Sequence, residues 1–84
     1  MAENSPWRVN DVVTYERMRE AASALTALLL QAIDRDPRHA DEVRREIIER
    51  RREVLSTDGY DRASVVALSE RIDARIRELS GAAS

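Results

Sequence analysis

Apolar residues recur along this chain in three blocks, the first and third stepping by three and four positions. The first block is Tyr15, Met18, Ala22, Leu25, Leu29 and Ala32, widened by Leu28, Leu30 and Ile33. The second is Ala40, Val43, Ile47, Ile48, Val54 and Leu55, and the third is Val65, Leu68, Ile72, Ile76 and Leu79. An α-helix turns by about 100° per residue, so each block lies along one face of a helix. No stretch alternates apolar and polar residues as a half-buried strand would.

Punctuation between the blocks sets the boundaries. Asn10 or Asp11 is suited to cap the first helix, and residues 1–9 read as a flexible N-terminal tail containing the lone Trp7. A lone tryptophan in a tail either folds back on the domain or docks on a partner, and folding back is the expectation, since aromatic burial is valuable in a chain without Phe. Pro37 disfavours helical geometry in the residue before it, which ends the first helix near Ile33. Asp36-Pro37 then suits the start of the second helix. Asp58-Gly59 reads as a chain reversal in which Gly supplies a positive φ, and Asp61 as the cap of the third helix. Tyr60 just before that cap and Val65 four residues after it have the spacing of a hydrophobic staple. Gly81 reads as a C-terminal cap, with residues 82–84 a short tail.

The pattern predicts an all-α fold: three helices near 11–33, 37–55 and 62–79 in one domain, residues 10–81. Short connections make consecutive helices antiparallel, giving a three-helix antiparallel bundle. The expected core is Met18, Leu25, Leu29, Val43, Ile47, Val54, Val65, Leu68, Ile72 and Ile76. Arg44 and Arg51 fall among the apolar positions of the second helix. They are expected to lay their stems along the core edge and to meet an acid on a neighbouring helix or a partner. Glu42, Glu46, Glu49 and Glu53 are expected on the opposite, solvated face.

Composition narrows the chemistry. The chain has 84 residues, enough for one core, and no Cys, which removes disulfides, thiolate metal sites and cysteine nucleophiles. Its single His, His39, stands at the start of the second helix without a second ligand or a triad partner in sequence, so neither a metal nor a cofactor is expected. The only glycines, Gly59 and Gly81, do not form a phosphate-binding loop. Ser69–Ile76 resembles a stretch of the small helical chorismate-mutase type of enzyme. The rest of such a site, Arg and Lys converging on a dicarboxylate from a long first helix, is not apparent. An enzyme is therefore not expected.

The net charge is −2, with all fourteen basic residues Arg. That balance disfavours a general nucleic-acid binder, which needs a positive face. The long helices also lack the tight turn of a helix-turn-helix. The N-terminus has no basic and apolar signal segment, and the longest unbroken apolar run is Ala27–Leu30, so the expectation is a cytoplasmic bacterial protein.

What remains is a helical binding module. Val13-Thr14-Tyr15-Glu16-Arg17 at the start of the first helix and Asp58-Gly59-Tyr60-Asp61 ahead of the third resemble the epsilon antitoxins that neutralise zeta toxins. Length and helix order are similar too. The chain departs from that family in having no Lys, fewer aromatics and nine or ten further residues before its first helix. The resemblance implies a partner: a toxin kinase that phosphorylates UDP-N-acetylglucosamine, whose nucleotide cleft the first helix would occupy. Tyr15 and Glu16 are the partner-binding residues that the resemblance implies. Glu20, one turn beyond Glu16 on the outer face, joins them because carboxylates there would pair with phosphate-binding Lys or Arg side chains. The competing expectation is a self-associating helical scaffold, a homodimer covering Ala24, Leu28 and Leu30.

Overall fold

A computed structural model describes the backbone of residues 6–82 and the side chains of residues 12–81. It is all-helical. Helix α1 spans Pro6–Arg35, a 3-10 turn spans Pro37–His39, α2 spans Ala40–Ser56 and α3 spans Arg62–Ala82. Glu53 meets Arg71 and Glu46 meets Arg75, so the numbers run in opposite directions and α2 and α3 are antiparallel. Tyr15, near the start of α1, packs against Gly59, just past the end of α2, so these two helices are antiparallel as well. It follows that α1 and α3 are parallel neighbours, and theirs is the most extensive contact in the molecule.

The predicted bundle is the observed one, with shifts at its ends. α1 begins at Pro6, ahead of Asn10 and Asp11, so the expected tail of residues 1–9 is helical from Pro6 onward. Pro6 has no N–H to lose in a first turn, and nothing between it and Asp11 breaks a helix. The expected folding back of the Trp7 side chain lies outside the described residues. α1 is 30 residues long, which accounts for most of the 56 Å length of a molecule 26 by 15 Å in its other dimensions. Gly81 does not cap α3; it lies within the helix, and no glycine has positive φ among the described residues.

The fully buried residues are Met18, Leu25 and Leu29 from α1 and Val65, Leu68 and Ile72 from α3. All six belong to the predicted core. The other four, Val43, Ile47, Val54 and Ile76, are partly buried against them. α2 therefore contributes no fully buried residue. It lies over a core built by the other two helices.

The α2–α3 connection departs from its sequence reading in a way that matters locally. Gly59 has no positive φ. Its small size serves a close approach instead: a Cβ there would sit 3.3 Å from Tyr15 Cδ1. Tyr60 makes no staple with Val65 and is 84% exposed; Tyr15 packs against the core and lies against this turn. The polar signals hold. Asp58 Oδ1 accepts from Tyr60 N–H at 2.9 Å, and Asp61 Oδ1 and Oδ2 accept from Ser64 N–H at 3.2 Å and Ser64 Oγ at 2.7 Å. These last two bonds cap α3. At the end of α2, Thr57 Oγ1 and Ser56 Oγ donate to the Glu53 carbonyl at 2.6 and 3.3 Å.

Candidate partner-binding surface

The outer face of α1 is where the sequence puts it. Glu16, Glu20, Ser23, Ala27 and Gln31 recur at spacings of three and four, and all are exposed. Neither Glu16 nor Glu20 has an ion-pair partner among the described residues. Glu20 also lines a groove of about 380 Å³ between α1 and α3, where Glu70 and Asp73 of α3 face it along with Arg17, Ser69 and Val66. The surface is thus an acidic strip with an acidic groove at its edge.

Tyr15 is not part of that strip. It is half-buried, packed against the core and set beside Gly59. The structure sets Glu16 and Glu20 together on the outer face, while Tyr15 packs against the core beside the α2–α3 turn. Among the apolar residues that a homodimer was expected to cover, Leu30 and Ala24 are exposed and Leu28 is half-buried.

The arginines of α2 are rearranged relative to expectation. Arg44 does not lie at the core edge; it is 61% exposed and pairs with Asp41 of its own helix at 3.3 Å. Arg51 is exposed, has no ion-pair partner among the described residues, and lines the groove between α1 and α2. The helix-to-helix charge pairs are made by the acids assigned to the solvated face. Glu46 receives Arg75 Nε at 2.8 Å and Nη2 at 3.0 Å, while Glu53 receives Arg71 Nη1 at 3.1 Å and, from its own helix, Arg50 Nη1 at 2.5 Å. The hydrogen bonds that Arg75 donates to Glu46 hold its guanidinium above its ordinary pKa, against the opposing effect of partial burial.

Ile48 and Leu55 explain the misplacement. They were counted in the inward stripe of α2, yet they are 51% and 75% exposed. Including them turns the inferred inward direction toward Arg44 and Arg51. With Val43, Ile47 and Val54 alone, Glu46 and Glu53 fall on the flank facing α3.

No catalytic arrangement emerges among the described residues. His39 is at the surface, 3.6 Å from Asp36 and 3.8 Å from Glu42. Among the described residues, no group of three or more His, Cys, Asp or Glu side chains is placed to hold a metal ion, the acidic groove included. Asp61 has its carboxyl held below the usual aspartate value, and the cause is its capping bond from Ser64. No described helix is long and apolar enough to cross a membrane. Compared with known families, curated proteins and solved structures, the chain matches none.

Proposed function

We propose that this protein is an antitoxin-like binding protein that neutralises a zeta-type kinase toxin by setting the outer face of α1 over the toxin's nucleotide-binding cleft. The observation that supports the reading is the state of Glu16 and Glu20. Two carboxylates one helical turn apart stand exposed, and neither has a cation partner among the described residues. A cleft built to receive phosphates presents Lys, Arg and backbone N–H groups, and an acidic helix meets those groups with opposite charge. The choice of toxin class comes from the Thr14-Tyr15-Glu16-Arg17 resemblance. The inhibition needs no chemistry from this chain, only occupancy. In this reading Glu16 and Glu20 touch the partner, while Tyr15 holds the N-terminal part of α1 in position.

The test is co-expression with the product of the adjacent gene. Wild-type protein should permit growth. The Glu16→Lys/Glu20→Lys variant, at equal soluble level, should not, because reversed charge repels a phosphate-binding cleft. If the wild-type protein rescues growth from no adjacent product, or that product does not use a nucleotide, the reading is wrong.

A further inference from the structure

Two grooves run along roughly opposite flanks of α1: Arg19 and Thr26 face one, Arg17 and Ala21 the other, when positions are counted at about 100° per residue. Their charges are opposite. The α1/α2 groove, about 280 Å³, is lined by Arg19, Arg50 and Arg51 and by no carboxylate. Arg19 and Arg51 have no ion-pair partner among the described residues, while Arg50 is held by Glu53. The α1/α3 groove sets Glu20, Glu70 and Asp73 against one arginine, and none of the three acids has an ion-pair partner among the described residues.

We infer that copies of this chain associate head to tail, the basic α1/α2 groove of one copy receiving the acidic α1/α3 edge of the next. One molecule cannot join its own two grooves, because α1 stands between them. Pairing like grooves across a two-fold axis would set Arg against Arg or carboxylate against carboxylate. Joining the basic groove of one copy to the acidic groove of the next matches charge with charge. Apolar surface accompanies each side. Leu55 lies in the basic groove with Ile48 two turns away on the same helix, and Val66 lies in the acidic one. Burial of these residues would provide attraction that salt does not screen. A head-to-tail contact does not use itself up at two copies, so mass should grow with concentration unless a ring closes. This inference does not depend on the antitoxin reading.

The experiment is sedimentation of the full-length chain with residues outside the partner-binding pair altered. Wild-type protein should exceed its 9.6 kDa monomer mass increasingly as concentration rises. Raising salt to about 1 M, where charges are screened within about 3 Å, should reduce that mass. Arg19→Glu/Arg51→Glu and Glu70→Lys/Asp73→Lys should each stay monomeric alone. An equimolar mixture of the two should regain association, since the first keeps its acidic groove and the second its basic one. Circular dichroism on each variant checks the fold, and Arg19→Gln/Arg51→Gln replaces the first if reversal unfolds it. A wild-type chain that is monomeric at all concentrations overturns the inference. So does a mixture that remains monomeric, or a discrete dimer that survives both reversals.

Discussion

Arg75 grips Glu46 through two hydrogen bonds, Nε to Oε2 at 2.8 Å and Nη2 to Oε1 at 3.0 Å, and so ties α3 to α2 across the bundle. Direct backbone proximity between these two helices is slight compared with what each makes to α1. The pair is only partly shielded from water, with Glu46 22% exposed and Arg75 more so. Glu46→Ala and Arg75→Ala should therefore show a coupling of about 0.5–1 kcal/mol in a double-mutant cycle, falling as salt is raised. A coupling of zero at low salt would mean that the contact does not hold the helices together.

Core truncations should divide sharply by helix. Leu25→Ala or Ile72→Ala removes a fully buried side chain and should cost about 2–5 kcal/mol. Leu55→Ala, at an exposed position, should stay within about 0.5 kcal/mol. Urea denaturation followed by circular dichroism measures both. A large loss at Leu55 would place that residue inside an interface, and its concentration dependence would reveal it.

The turn between α2 and α3 should reject bulk because of Tyr15. Gly59 tolerates ordinary backbone angles, so the obstacle is the ring that a Cβ would meet at 3.3 Å. Gly59→Val should destabilise by about 1–3 kcal/mol through crowding. In a Tyr15→Ala background the added side chain finds room, and the penalty should largely disappear. Equal penalties in both backgrounds would show that the ring is not the cause.

Asp61 makes the start of α3 sensitive to acid. Its carboxyl is held below the ordinary aspartate value of 3.8 by the bonds from Ser64. A carboxyl with a depressed folded-state value contributes stability that is present above its unfolded value and lost as pH falls through the folded one. Asp61→Asn keeps an oxygen that can accept the capping bond but does not titrate. The wild type should thus melt higher than the Asn variant at pH 7, with the gap closing below about pH 4. A gap that is constant with pH would refute the assignment.

Most of the fold was legible because the i, i+3, i+4 pattern in α1 and α3 coincides with the buried set, from Met18 to Leu29 and from Val65 to Ile72. α2 was harder to orient. It lies on the core without entering it, so Ile48 and Leu55 resemble core residues in sequence while facing solvent, and they drew Arg44 and Arg51 with them. Tyr60 shows a similar limit: its spacing from Val65 is that of a staple, but Tyr15 arrives from 45 residues earlier to pack against the turn. A partner that comes from a distant helix leaves no local mark. In the candidate surface, Glu16 and Glu20 followed from helical period alone. Glu70 and Asp73 did not, because joining them to Glu20 requires knowing that α1 and α3 are neighbours.

The lack of any fully buried residue in α2 also bears on how the chain reaches its fold. The core is shared by helices at the two ends of the sequence, so nucleation must close a loop of which α2 is the larger part. Substitutions at Leu25 or Leu68 should therefore act on the rate of folding, and substitutions along α2 on the rate of unfolding. Stopped-flow kinetics on the two sets would display this as chevrons shifted on opposite arms. The middle helix then behaves as a tether that becomes ordered last and is released first.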